Sequence, residues 1–343
     1  MRRKLIPFLI LCLILAGCTP HAQQPEVTKY TATFLTLFDT VTTIVGYAET
    51  EAEFTLTAQA VHDDLLVYHQ LFDIYNEYDG MNNLKAVNDN AGIEPVKVDR
   101  AIVDLLIDCR DFYEKTGGRV NVAMGSVLKL WHDARSSGIN DPVNAELPDA
   151  AKLAEAAQHV DFSNVIIDEA ASTVYISDAA MRLDVGAVAK GWAVQRAAEN
   201  APEGLLISVG GNVCATGPKA VSGEAWVVGV RDPAGEADDY VHTIFVKDGS
   251  VVTSGDYQRA YVVNGDMYHH IIDPDTLYPA RYWRSVTVIC ADSGAADALS
   301  TALFTLNKKD GQALLDLFDA EAMWVDKDGN VEYSPGFGDL IRT

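Results

Sequence analysis

The sequence predicts an α+β fold: mixed, largely antiparallel sheets with packed helices, forming a single large domain over residues 31–343. Three observations carry this. Strand-like runs follow one another from Leu205 to Ile272 without a helical run between them, and Asn264-Gly265 supplies a hairpin turn there. Runs with helical periodicity flank this region on both sides. No repeat, low-complexity tract or clear linker divides the chain.

Taken in order, Thr33–Tyr47 is rich in Thr, Val and aromatics and reads as a strand pair, and Glu51–Phe72 has helical spacing. Tyr75–Gly92 is polar, holds five Asn and reads as a long loop or lid. Helices are expected at Asp99–Lys115 and Ser126–Ala134, around the Gly117-Gly118 turn, and at Asp149–Gln158. Short strands are expected near Val165, Val174 and Arg182, then a helix from Ala187 to Glu199. Strands at Leu205, Trp226, Val241–Val252 and Tyr257–Ile272 follow. A buried strand at Val286–Ala291, helices at Ala295–Leu306 and Gly311–Phe318, and strands at Met323 and Val331 complete the chain.

The first residues differ in kind. Arg2, Arg3 and Lys4 precede the apolar run Leu5–Leu15, and Leu15-Ala16-Gly17-Cys18 closes it with small residues. This is the layout of a secretory signal, too short for a transmembrane helix of about 20 apolar residues. Leu-Ala-Gly-Cys resembles the lipobox of bacterial lipoproteins, in which the Cys is acylated. An ordinary cleaved signal with an incidental Cys is the alternative. Residues 1–17 are therefore read as a lipoprotein signal and 18–30 as a lipidated flexible tether. The expected location is the cell membrane, lipid-anchored and facing outside the cytoplasm.

Acidic residues number 49 against 26 Lys and Arg, a formal net charge of −23. That disfavours nucleic acid as a partner, since neutralising phosphates needs a basic face. An anionic ligand must be held locally, by backbone amides, a helix N-terminus or a metal ion. Cys109, Cys214 and Cys290 read as small core residues, not as a disulfide framework or zinc site.

Four segments could carry chemistry. In Leu183–Gly191, a strand passes into a helix with Asp184 at the junction and Lys190 in the first turns. Amides there could hold a phosphate, or Asp184 could be only a cap. In Leu205–Gly217, Gly210-Gly211 is either a tight turn or a place where a flat ring or pyrophosphate lies against backbone. His269 and His270 point to opposite faces if they lie on a strand, so at most one serves a given site. Either one of them is a proton acceptor beside Asp273, or both are half-exposed strand residues. Asp297 and Thr301 are four apart on one helix face. They are hard oxygen ligands suited to magnesium, or else a helix-terminal acid and an incidental Thr.

In this order, the segments DVGAVAKG (184–191), SVGGNV (208–213), TSGDYQR (253–259), YHHIIDP (268–274) and VTVICADSGAADALSTALF (286–304) resemble the ApbE family of FAD:protein FMN transferases. Phe38-Asp39-Thr40, the Asn-rich stretch around Asn88, and Asn121–Trp131 fit weaker family motifs. The resemblance spans roughly residues 33–325, and with it comes the expectation of an ApbE-like, T-fold-like architecture. It implies magnesium-dependent transfer of FMN from FAD, the substrate, to a Thr or Ser hydroxyl of an acceptor flavoprotein domain in a membrane or extracellular redox protein, with release of AMP. The alternatives are an FAD pyrophosphatase and an FAD-binding lipoprotein without transferase activity.

Carried over residue by residue, the resemblance makes the Ala187 carbonyl, Asp297 and Thr301 the magnesium ligands and His270 the base. Asp184 and Lys190 would contact FAD. Phe38, Ala123, Met124, Gly125 and Ile271 would line its pocket with Gly210, Gly211 and Ser254, and Tyr75 or Tyr78 would stack on a ring. The chain departs from the family pattern at four places: Gly186-Ala187 for Gly-Gly, Asn121 and Ala123 for Asp and Thr, Thr276-Leu277 for Thr-Gly, and Phe38-Asp39 for Met-Gly.

Overall fold

The computed structural model describes residues 27–236 and 239–342. The signal and Cys18 lie outside these residues, as does the tether up to position 26. The first strand, β1 (Thr28–Phe34), already begins within the span read as tether. It pairs with β2 (Thr42–Ala48), with a short helical turn at Leu37–Asp39 between them. Thus the expected strand pair is present, displaced toward the N-terminus.

Thr50 caps helix α1 (Glu51–Phe72) by accepting the Glu53 N–H. The Asn-rich stretch is not simply a loop, since Leu84–Asp89 forms helix α2 with Asn83 as its cap. Asn83 also donates to the Gln70 and Asn76 carbonyls, which fastens the stretch to the end of α1. Sequence periodicity missed α2 because the helix is only six residues long and one of its buried positions is the polar Asn88, which bonds the Leu183 backbone. After β3 (Val96–Lys97) come α3 (Arg100–Lys115), α4 (Gly125–Asn140) and α5 (Ala150–Ala156), the first and last capped by Asp99 and Asp149. Strands β4 (Val165–Asp168) and β5 (Thr173–Ile176) join β3 in a three-stranded sheet. Arg182 makes only an isolated parallel bridge with Met124, not the expected strand.

Helix α6 (Ala189–Asn200) leads into β6 (Leu206–Val209) and β7 (Asn212–Ala215). Next come β8 (Trp226–Arg231), β9 (Tyr240–Val246), β10 (Gly249–Gly255), and the hairpin of β11 (Tyr261–Val263) and β12 (Asp266–Tyr268). Asn264 and Gly265 both have positive φ, 53° and 91°, as the predicted turn requires. The two histidines follow this hairpin and are not part of it. Strand β13 (Trp283–Cys290), α7 (Ser293–Phe304), α8 (Lys308–Leu315), β14 (Glu321–Asp326) and β15 (Val331–Tyr333) close the fold.

Eight strands form one antiparallel sheet in the order β1-β2-β6-β7-β10-β13-β14-β15. Alternate residues face opposite sides. Ile44, Ile207, Val252, Val288 and Ala322 face the helical core of α1, α6 and α7. Val251, Met323 and Val325 face a second core under the β8–β9 hairpin with Trp226, Val228 and Ile244. A third cluster joins α4 and α5 to the β11–β12 hairpin. The sheet is therefore covered on both faces, and its β6–β7 turn, the start of α6 and the face of α7 are brought to one region.

Candidate active site

The site begins with a backbone segment held on two sides. Asn88, almost fully buried, donates to the Leu183 carbonyl and accepts the Leu183 N–H, so its side chain pairs with that residue as a strand would. On the other side Gly125 N–H donates to the Arg182 carbonyl and Asp184 N–H to the Val122 carbonyl. Only a glycine fits at 125, because a Cβ there would lie 2.5 Å from the Arg182 oxygen. These contacts fix Asp184, whose carboxylate accepts the Gly186 N–H at 2.9 Å. Burial pushes the Asp184 pKa up, against the pull of that N–H and of His132, Arg259 and Arg135.

Helix α6 then runs past α7 at close range. A Cβ at Gly191 would sit 2.3 Å from the Ser293 carbonyl oxygen and 2.5 Å from Asp297 Cβ. Gly191 is the third residue of α6, so its N–H is one of the helix-start donors that lack a partner within the helix. It donates to Asp297 Oδ2 at 2.8 Å, and the Ala187 carbonyl, which precedes the helix, accepts no backbone hydrogen bond among the described residues. Lys190 Nζ lies 3.7 Å from the same carboxylate oxygen. Asp297 is 3% exposed, with Thr301 one turn further along the same face of α7. Ser254 reaches this helix through a hydroxyl contact with Ser300, which donates to the Asp297 carbonyl. Among the described residues no group of three or more His, Cys, Asp or Glu is placed to hold a metal. The oxygen donors here are of another kind: one carboxylate, one hydroxyl and one free carbonyl.

The histidines make separate contacts, although they lie beyond β12 and not on the strand that the sequence argument assumed. His269 Nε2 meets the Ala280 carbonyl at 2.8 Å, its Nδ1 accepts the Ile271 N–H, and its ring packs edge-on against Phe304. It is a core residue. His270 Nδ1 meets the Gln258 carbonyl at 3.2 Å, an acceptor that places the proton on Nδ1 and the lone pair on Nε2. Burial, then the charges of Arg259, His269, Lys190 and Arg135, push the His270 pKa down to about 3. The ring is thus neutral and able to accept a proton. Asp273 is not its partner, because Arg119 holds that carboxylate at 3.1 Å.

The remaining expected residues fall into two groups. Phe38 lies beside His69, which accepts its N–H, and its carbonyl is 3.4 Å from the Arg259 guanidinium. Gly210 abuts Thr40 so closely that a Cβ would meet its hydroxyl at 2.6 Å, whereas Gly211 has open space on that side. Tyr75 is 55% exposed and stacks on His132 with ring centroids 5.1 Å apart. Its pKa is pushed up to about 12 by burial and by the Asp184 charge, which puts it at the site. Tyr78 instead donates to Asp73 and belongs to the loop's own bracing. Ala123, Met124 and Ile271 are buried core residues, so their contribution is backbone and shape. Phe38, Asp39 and Leu277 adopt positive φ of 52°, 53° and 62°. Asp39 and Leu277 stand at two of the places where the family pattern has glycine, and there the backbone keeps the conformation that glycine adopts freely.

Sequence reading passed over His132, Arg135 and Arg259. The first two lie three apart on α4, beyond or near the end assigned to that helix, and Arg259 was present in the 253–259 motif without a role.

The fold and this site define an α+β protein with a helix-borne carboxylate and a cation-lined recess around a neutral histidine. The chain belongs to the ApbE family, whose profile matches residues 38–324. An FAD:protein FMN transferase of Treponema pallidum is 38% identical over 277 residues, 76% of this chain and 75% of that protein. One from Klebsiella pneumoniae is 30% identical over 283 residues, covering 79% and 85%. The crystal structure of the ApbE protein from Thermotoga maritima superposes with a TM-score of 0.80 at 33% identity, over 92% of this chain and 100% of that one.

Two expectations follow. Gly191→Ala should destabilise the protein by about 1–3 kcal/mol, as overpacking does, in denaturant melts. It should also displace Asp297, and an unchanged midpoint would contradict the close approach of α6 and α7. Secondly, the folded His270 pKa lies far below the unfolded value near 6.5, so the unfolded chain binds more protons between them. Stability is therefore lost as pH falls from about 6.5 toward 3. In His270→Asn the loss across pH 6.5–4.5 should be shallower than in the wild type, measured by denaturant midpoints; an identical slope would contradict a buried neutral ring.

Proposed function

We propose that this chain transfers FMN from FAD to a Thr or Ser hydroxyl of an acceptor flavoprotein, releasing AMP, with magnesium required. The observation that carries this is the Gly191 N–H bond to Asp297 Oδ2, which orients that carboxylate at the start of α6, where the Ala187 carbonyl accepts no backbone hydrogen bond among the described residues. Asp297, Thr301 and that carbonyl are the hard-oxygen set magnesium takes, and magnesium keeps few protein ligands and favours phosphate oxygens. When bound, the ion supplies neutralisation of charge on the pyrophosphate.

The chain's own groups do the rest. Lys190, Arg135 and Arg259 favour the anionic substrate in a molecule that otherwise repels it. Gly211 leaves room for the nucleotide against backbone, and Tyr75 offers a flat ring face. His270 Nε2 takes the proton from the acceptor hydroxyl. The hydroxyl oxygen then forms a bond to the FMN phosphorus as the phosphorus–oxygen bond to AMP breaks, so AMP leaves with the bridging oxygen. Positioning and charge neutralisation account for most of the rate in such a transfer.

The test is mass spectrometry of an acceptor flavoprotein domain after incubation with enzyme, FAD and magnesium. Wild type should add one FMN to one Thr or Ser, and Asp297→Ala, His270→Ala or a chelator should reduce the yield by about a hundredfold or more. Adduct formation at wild-type rate in both variants would overturn the assigned roles, and AMP release without adduct would make the protein an FAD pyrophosphatase.

We also infer that Cys18 carries lipid and holds the enzyme at the outer face of the cell membrane, with residues 1–17 as the signal. The basic, apolar and small-residue order of that segment supports this. Cys18→Ser should move the protein from the membrane fraction to the soluble one; retention in the membrane fraction would remove the anchor.

A further inference from the structure

Arg135 and Arg259 are the two arginines whose charges act on both Asp184 and His270. Although acids outnumber Lys and Arg 49 to 26, neither guanidinium has a carboxylate partner within salt-bridge distance among the described residues. Arg135 lies on α4, which packs against β11, and a Cβ at Gly138 of α4 would meet the Tyr261 ring, two residues beyond Arg259, at 2.6 Å. The Arg135 pKa is lowered first by burial and next by the charge of Arg259. Arg135 is half-buried, which limits how far water can compensate it. Two like charges brought near each other, with the Asp184 carboxylate acting on both from beyond salt-bridge distance, form an arrangement that an incoming anion stabilises.

The geometry around them is built. Arg135 donates to His132 Nδ1 at 3.2 Å, and the Tyr75 hydroxyl reaches the same nitrogen at 3.4 Å. An Nδ1 that accepts from a guanidinium leaves the imidazole neutral, with its proton on Nε2. His132 therefore braces Arg135 on one side and the Tyr75 ring on the other without adding charge. Across the site, Arg259 has a backbone φ of 45° and reaches the Phe38 carbonyl at 3.4 Å. The charges of both guanidiniums also act on His270 and on Asp184.

We propose that Arg135 and Arg259 are a phosphate-binding pair that takes pyrophosphate oxygens of the dinucleotide, with His132 as the positioning residue that sets Arg135. This deepens the flavin-transfer reading and rests on it. Guanidinium groups suit the role because their fixed fork matches phosphate oxygens two at a time, which an ammonium cannot do. It also divides the work in the site. Lys190 is engaged with the Asp297 carboxylate, whereas the two guanidiniums, among the described residues, hydrogen-bond only to the neutral His132 ring and the Phe38 carbonyl. An anion between them offsets the charges that hold His270 low, so the base strengthens once substrate is in place.

The experiment is calorimetric binding of FAD, inorganic pyrophosphate and riboflavin, with and without magnesium, to wild type, Arg135→Ala, Arg135→Lys, Arg259→Gln and His132→Ala. Arg135→Ala and Arg259→Gln should weaken FAD and pyrophosphate by about tenfold or more and change riboflavin, which lacks phosphate, by less than about twofold. Arg135→Lys should recover only part of the loss. His132→Ala should shift pyrophosphate in the same direction by a smaller factor. Arg259 is exposed, so its variant keeps the test valid if a substitution at 135 disturbs folding, which circular dichroism reads. Wild-type pyrophosphate and FAD affinity in both arginine variants, with wild type binding FAD, would overturn the pair alone. Failure of the wild type to bind FAD would overturn the flavin-transfer reading, and the pair with it.

Discussion

One hydrogen bond organises the site: the Gly191 N–H donated to Asp297 Oδ2. It requires that α6 and α7 touch, and they touch because residue 191 has no side chain. The same bond satisfies a donor at the start of α6, so a single substitution-sensitive contact both aims a carboxylate and caps a helix. Everything around it serves to keep the two helices at that separation. α7 lies on the sheet through Leu299, Leu303 and Phe304, and Ser293 N–H is held by the Gln195 side chain of α6. Removing one partner from such a buried arrangement leaves the other unsatisfied, which costs more than the bond itself contributes.

The electrostatics follow from the same packing. A chain with this net charge repels a dinucleotide at long range, so attraction has to be concentrated where the substrate binds. Lys190, Arg135 and Arg259 supply it around His270, with Asp184 and Asp297 as the carboxylates nearby. His270 is held neutral by that field as well as by burial. An anion placed among these cations offsets the field and raises the proton affinity of the ring. The protonation state and the binding site are thus two readings of one charge distribution.

Much of this was legible in the sequence, and the legible part has a common cause. Strand alternation, the Asn264-Gly265 turn and the helical spacing after Thr50, Asp99 and Asp149 are local, and each is written within a few residues. The Asp297–Thr301 spacing and the divergence of His269 and His270 were likewise local, even though the histidines follow the hairpin instead of lying in it. What stayed hidden depends on contacts across long sequence separations. Asn88 was visible as one Asn among several, but its pairing with Leu183 was not. Tyr75 and Tyr78 were indistinguishable by pattern, and only the partners His132 and Asp73 separate them. Arg135 and Arg259 carried no signal beyond their charge, because their lack of an acid partner is a property of the folded molecule. Asp273, adjacent to the histidines in sequence, turned out to belong to Arg119.

The proposed metal site consists of Asp297, Thr301 and the Ala187 carbonyl, with Asp297 aimed by the Gly191 contact. A crystal structure of the protein grown with FAD and manganese, an anomalous scatterer that shares magnesium's preference for octahedral oxygen, probes it. A single strong anomalous peak is expected at about 2.0–2.3 Å from an Asp297 oxygen, the Thr301 hydroxyl and the Ala187 carbonyl. Bound FAD with no peak at those oxygens, or with the metal held by other residues, would contradict it.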